Sequence, residues 1–240
     1  MIPYLVINGK ISKNITGLMI QKLAPISKPK LRTTIEEIDG RDGDIVTTLG
    51  YSAYDKEVTI GLYGDYNVDD IISFFDSSGQ VTFSNEPDKY YNFAIYDQIN
   101  LEKLIRFKTA TVKFHIQPFK YSESETDIVK IYDSDNTNAN ITIRNNGNIY
   151  SKPTLQITGK GYIDVSLNGT QIFNINLSSA EFETIIINSV DLNAYSLSGD
   201  YLNRKVTGDY DNLRLNVGIN NFNISGNVTN VTINNYSRWI

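Results

Sequence analysis

From residue 140 to its end the chain is a succession of short β-rich runs broken by turn residues, and this limits it to an all-β architecture over that span. The runs fall at 140–143, 154–158, 162–167, 170–177, 183–187, 213–217, 221–224 and 227–233. Asn168-Gly169 predicts a hairpin between two of them, because both residues adopt positive φ at low cost. Many short strands with turns between them predict a sandwich. The run Val228-Thr229-Asn230-Val231-Thr232-Ile233 reads as a closing strand tied into the sheet. Asparagine is concentrated in this half, yet no fixed repeat period appears, which argues against a β-solenoid.

The first half has a different rhythm. Leu5-Val6-Ile7 and Lys10-Ile11 flank Asn8-Gly9, a strong hairpin signal. Two prolines and two lysines in 23–30 predict an extended, exposed arm running through 24–33. The stretch Ile38-Asp39-Gly40-Arg41-Asp42-Gly43-Asp44 predicts a tight polar turn ahead of a strand starting near Lys56. In 57–62, Val58, Ile60 and Leu62 share one face. The single predicted helix carries Val68, Ile71, Ile72 and Phe75 on one stripe. Asn67 caps its start, Asp69 and Asp70 suit its positive end, and Ser77-Ser78-Gly79 closes it, with Gly79 in the left-handed position. Strands return at 81–84, 90–96 and 109–117. In the last of these, Val112, Phe114 and Ile116 oppose Lys113 and His115. The aperiodic polar stretch 121–127 predicts a domain boundary, giving domains 1–121 and 128–240.

A chain of 240 residues can bury a core in each half. The net charge of −5 has no block of like charge, which speaks against a basic groove for nucleic acid. There is no cysteine, so neither a disulfide nor a thiolate metal site is available. The N-terminus reads as a first strand and not as a signal peptide, and no apolar run approaches the ~20 residues of a membrane span.

The residues that could carry chemistry read more plainly as structure. His115 is the only histidine and lies on the polar face of a predicted strand, as a surface or interface histidine does. Asp39, Asp42 and Asp44, and separately Asp133, Asp135 and Asn136, lack the spacing of a calcium loop. No spacing among the acidic residues selects a glycosidase pair. Gly159-Lys160-Gly161 begins a dinucleotide-like pattern, but Asp164 replaces its third glycine and a strand follows where a helix is needed. The Asn-x-Ser/Thr sequons, such as Asn140-Ile141-Thr142 and Asn227-Val228-Thr229, read as by-products of composition. The chain is expected to be no enzyme and to hold no cofactor and no metal. The tyrosines, including Tyr90, Tyr91, Tyr121, Tyr132, Tyr150 and Tyr236, suit protein interfaces. Tyr162, Tyr195, Tyr201 and Tyr210 are candidates for a carbohydrate or partner surface.

The order of motifs resembles the distal tail proteins of siphophages. It runs from the opening strand pair and arm to Gly40-Arg41-Asp42-Gly43, then Asp69-Asp70-Ile71-Ile72 and the segment 80–91. Val112-Lys113-Phe114 then leads to Pro118-Phe119. Asn146-Gly147-Asn148, Lys152-Pro153-Thr154 and the ending 218–224 complete the match. Asp39 departs from the proline often found there.

The resemblance implies a mainly β protein. An N-terminal sheet-and-helix domain would form a ring, typically hexameric, and a galectin-like β-sandwich would follow it. The implied role is structural, at the tip of a long non-contractile tail assembled in the host bacterial cytoplasm. The implied partners are further copies of the chain, the major tail tube protein, the tail-associated hub or lysin protein, the tape measure protein and a receptor-binding protein. DNA would pass through the ring without specific binding, and no membrane insertion is implied. Expected ring contacts are Pro25, Lys28, Pro29, Arg32, Arg41, Asp42, Glu57, Thr59, Lys113 and His115. The alternative from another class is a carbohydrate-binding adhesin.

Overall fold

The computed structural model describes residues 2–122, 128–131, 138–235 and 237–240, the backbone only for 128–131. Part of the expected boundary stretch, the cluster of Asp133, Asp135 and Asn136, and Tyr132 and Tyr236 lie outside the described residues. The chain is rich in β-structure and divides into two compact units, Met1–Glu123 with Ile240, and Ser124–Trp239.

The N-terminal unit opens with β1 (Leu5–Ile7) and β2 (Lys10–Ile11), joined through Asn8 and Gly9 at φ 47° and 79°. β3 (Leu18–Lys22) precedes β4 (Leu31–Glu37), β5 (Asp44–Tyr51) and β6 (Tyr54–Leu62). Helix α1 (Val68–Phe75), β7 (Ser78–Phe83), β8 (Lys89–Ala94), helix α2 (Leu101–Phe107) and β9 (Thr109–Ser122) follow. One antiparallel sheet runs β2-β1-β7-β8-β9-β6-β3. Val58, Ile60, Leu62, Val112, Phe114 and Ile116 supply its buried face, with α1 giving Ile71, Phe74 and Phe75. Among the described residues, β4 and β5 pair only with each other.

Asn67 caps α1 as expected, accepting from the Asp69 amide at 3.0 Å. The C-terminal expectation fails: the helix stops at Phe75, and Gly79 lies inside β7. With φ 133° and no Cβ, it instead leaves room for the Asn8 amide, which accepts from Gln80 N at 2.9 Å and donates to Ser78 O at 3.0 Å. The second helix was not expected. Asn100 caps it by accepting from Lys103 N at 2.7 Å, and Lys108 takes the left-handed position, with φ 57°, that glycine usually marks. With only two turns, it displays too little periodicity to stand out.

The C-terminal unit contains β10 (Ile128–Ile131), β11 (Asn138–Asn145), β12 (Thr154–Leu167), β13 (Thr170–Asn176) and β14 (Glu183–Asn188), then β15 (Asn193–Tyr195), β16 (Val206–Gly208) and β17 (Gly218–Asn234). Asn168-Gly169 makes the expected β12–β13 hairpin. Four expected runs merge: 154–158 with 162–167 form β12, and 221–224 with 227–233 lie in β17. The expected strand at 213–217 is not one. Leu213 and Leu215 are buried there, but only an isolated bridge from Leu215 to Ser151 forms.

Merging has a physical cause. β12 and β17 pair along their length and bend together where Gly161 and Tyr162 are inserted opposite Gly226. Gly161 and Gly226 have φ of 70° and 125°, and a Cβ on Gly159 would sit 2.7 Å from the Asn227 carbonyl. Gly159 and Gly161, which begin the dinucleotide-like pattern, therefore make a bend. Past it, the first half of β12 pairs with β14 and the second with β13, and residues from both halves share one core. The result is a sandwich whose two leaves are continuous through the same two strands.

Candidate assembly interface

Residues 31–37 and 44–51 form a free ribbon. All seven residues of β4 are exposed, and none of the eight in β5 is buried. Cross-strand register places Ile35 opposite Val46, and Leu31 with Ile35 and Val46 falls on one face. Their exposures are 37%, 59% and 58%. Arg32, Thr34 and Glu36 occupy the other face. The Gly-Arg-Asp-Gly turn is the ribbon's tip, where Arg41 N donates to Ile38 O at 3.1 Å and Gly40 has φ 81°. Asp39 is the second residue of that turn, a position that accepts aspartate and proline alike. The ribbon was only half expected: the arm predicted for 24–33 enters a strand at Leu31, and β5 was not foreseen.

Arg32, Arg41 and Asp42 thus all lie on the ribbon and are exposed. Pro25 and Lys28 are exposed in the connecting segment, whereas Pro29 is buried, so it anchors the segment and offers no contact surface. Pro25, Glu57, Thr59 and Lys113 come together with Lys22 and Asp55 around an open groove of about 520 Å³. His115 stands beside it on the outer face of β9. Its Nδ1 is 2.8 Å from Asp55 Oδ1, and its ring lies 5.6 Å from that of Tyr96. Lys113 reaches Asp55 at 2.9 Å and Asp97 at 3.3 Å. Hydrogen bonds from Lys113 and His115 hold the Asp55 carboxyl below its ordinary pKa, and those from Asp55 and Asp97 raise that of Lys113. This is a partly solvated charge cluster with no nucleophile in it, suited to polar contact. Among the described residues, no group of three or more His, Asp or Glu is arranged to hold a metal. No described helix is long and apolar enough to cross a membrane.

Sequence reasoning overlooked Lys56. It shares the core face with Val58 and Ile60, is only 3% exposed, and its Nζ donates to Pro25 O at 2.9 Å. A charged residue in phase with an apolar stripe was the available signal.

The four tyrosines of the C-terminal unit do not all converge. Tyr195 and Tyr201 are bridged cross-strand neighbours, and Tyr195 OH donates to Asp191 at 3.3 Å. Tyr210 packs on Phe173 and donates to Asn203 at 3.2 Å. Tyr162 is carried on the β12 bulge, 80% exposed. In the N-terminal unit Tyr91 is buried and Tyr90 stacks on Tyr121, so neither contributes to an open aromatic face.

The fold is one found in phage hub and baseplate proteins. The chain is similar over 100% of both chains to the SPP1 Dit (gp 19.1) protein, a paradigm of the hub adsorption apparatus in phages infecting Gram-positive bacteria, with TM-score 0.67 and 15% identity. It is also similar to a chain of the phage P2 baseplate in its activated conformation with calcium, with TM-score 0.52, 12% identity and 98% of each chain covered. At these identities the likeness is one of fold. No protein-family model and no curated protein matches the sequence.

Proposed function

We propose that this chain is a structural protein of a siphophage tail tip, a distal tail protein that joins copies of itself into a ring. The observation that carries the reading is the ribbon of β4 and β5. A two-stranded hairpin is marginal in water, and this one leaves Leu31, Ile35 and Val46 uncovered on a single face. Such a ribbon needs a partner surface. A ring of identical copies supplies one to every protomer, because closed rotational assembly matches one face of each copy with a different face of the next. The groove at Pro25, Glu57, Thr59 and Lys113, with His115 beside it, offers polar contacts for such a neighbour. The likeness in fold to a hub protein and to a baseplate chain supports the same role.

In this reading residues 1–121 form the ring, with the tail tube protein on one side and the hub or lysin protein on the other. The tape measure protein and DNA occupy the channel, and a net charge of −5 suits a conduit along which phosphates must slide. Residues 128–240 form a galectin-like sandwich on the outside that carries receptor-binding proteins. The assembly belongs to the virion and is built in the bacterial cytoplasm.

Light scattering on the chromatographed full chain tests the ring. Six copies of 27.1 kDa give roughly 163 kDa. Replacing Ile35 and Val46 together by aspartate is expected to reduce that mass to one protomer. A one-protomer mass for the parent chain, persisting with tail tube and hub proteins present, overturns the reading.

A further inference from the structure

Residues 23–30 link β3 to the ribbon and pair with no strand. Three of their backbone carbonyls are nevertheless bound by side chains of β6 and of the β7–β8 turn. Asn85 Nδ2 donates to Ala24 O at 3.1 Å, Lys56 Nζ to Pro25 O at 2.9 Å, and Tyr54 OH to Ser27 O at 3.3 Å. Ala24 is buried beneath them, while Pro25, Ile26 and Ser27 are exposed. Lys56 is enclosed by the rings of Tyr91 and Phe83, whose centres lie 5.1 and 5.3 Å from Nζ. Glu86 offsets its charge at a distance, and that carboxylate is itself held by Tyr91 OH at 2.6 Å and Lys120 at 2.7 Å.

We infer that Lys56 is a positioning residue which, with Asn85 and Tyr54, latches residues 24–27 by their carbonyls and fixes the direction in which the ribbon leaves the sheet. The choice of residue supports this. Burying an ammonium among rings is costly, and an apolar side chain there would hold the sheet as well or better. What methionine or leucine lacks is a donor aimed at Pro25 O. Recognition of carbonyls also explains why the exposed side chains of the segment need no partner. The inference rests on the ring reading only for its purpose, since the ribbon so aimed is the one proposed to reach the next copy.

Because the chain has no cysteine, a nitroxide pair can be placed at will. Asp42→Cys at the ribbon tip and Gln117→Cys on β9 are labelled in the full chain, diluted with unlabelled chain, and the distance distribution is read by pulsed electron spin resonance. The parent is expected to give a narrow distribution. Lys56→Met is expected to broaden it at least twofold with a melting temperature equal or higher, and the pair Asn85→Ala with Tyr54→Phe to broaden it in the same sense. An unchanged width in a folded Lys56→Met chain overturns the latch. Should Lys56→Met fail to fold, an unchanged width in the Asn85→Ala/Tyr54→Phe chain does so. All these chains carry Ile35→Asp and Val46→Asp, expected to hold them as single protomers, so neither readout depends on ring formation, and a parent chain that never assembles overturns the ring and leaves the latch standing.

Discussion

The ribbon β4–β5 and the pair β12–β17 are both antiparallel, yet they hold together for opposite reasons. β12 and β17 alternate buried and open positions along most of their 14 and 17 residues, and their inward side chains fill a core. The ribbon's 7 and 8 residues bury nothing. Ladder hydrogen bonds are common to both, but each contributes little net stability once water's competition is counted. The difference teaches that pairing gives shape, whereas persistence comes from what covers the side chains. Tyr51 packs on Phe119 at the ribbon's root, but Leu31, Ile35 and Val46 stay exposed in their own chain, and the proposed assembly is what would cover them.

The contrast can be broken most severely in the core. Phe114 meets Phe75, Phe83 and Phe93 with ring centres 5.4–6.3 Å away. Phe114→Ala is expected to cost about 3–5 kcal/mol in denaturant unfolding of the N-terminal unit. A loss near that for a surface residue would mean that the sheet's stability does not reside in this cluster. Gly226→Val ranks next. It forces a β-branched side chain to φ 125° with its Cβ 3.1 Å from the Ile163 Cα, and about 3 kcal/mol of the sandwich's stability should go. If it leaves the melting temperature unchanged, the bend is not glycine-dependent.

Alkaline titration sharpens the comparison inside the N-terminal unit. Burial, followed by the bond to Glu86, pushes the Tyr91 phenol well above its ordinary pKa. In the unfolded chain a tyrosine ionises near 10, so the stabilising contribution of neutral Tyr91 is complete below about pH 10 and is lost as pH rises beyond it. Burial depresses Lys56, which acts in the opposite sense by favouring the folded state as pH approaches about 10.4. Tyr91→Phe should therefore flatten the fall in stability above about pH 10, and an unaltered fall would assign it to other groups. The smallest effect is the one the ribbon demands. Ile35→Ala should alter unfolding of the dilute chain by no more than about 0.5 kcal/mol while lowering the assembled fraction. A large loss in the dilute chain would mean that the ribbon's apolar face is already covered within it.

Legibility in the sequence followed the same divide. Asn8-Gly9, Asn168-Gly169, the Asn67 cap and the alternation of Val58, Ile60 and Leu62 could be read directly, since each records a local backbone demand or a single buried face. The ribbon could not, because Thr33 and Glu37 interrupt the apolar side of β4 and leave its alternation too weak to read, so only its tip was visible. The joins within β12 and β17 were misread as breaks, since Gly159, Gly161 and Gly226 serve a bend and a turn equally well. At the candidate interface the groove and charge cluster gathered Pro25, Glu57, Thr59, Lys113 and His115, drawn from the connecting segment, β6 and β9, far apart in sequence. Pro29 turned inward, and Lys56 escaped because its polar end is satisfied by a carbonyl that only the folded chain brings near.

The continuity of β12 and β17 through both leaves has a mechanical meaning. In a sandwich of separate sheets, tension can peel one leaf from the other by parting side chains alone. Here the leaves share two strands, so parting side chains can only hinge them about the bend, while the ladder between β12 and β17 keeps them joined on both sides of it. A pull directed along β17 loads those bonds in shear, many at once, and not one after another as in unzipping. A module that must keep its shape while one end is anchored and the other is tugged gains from a seam stitched by its own longest strands.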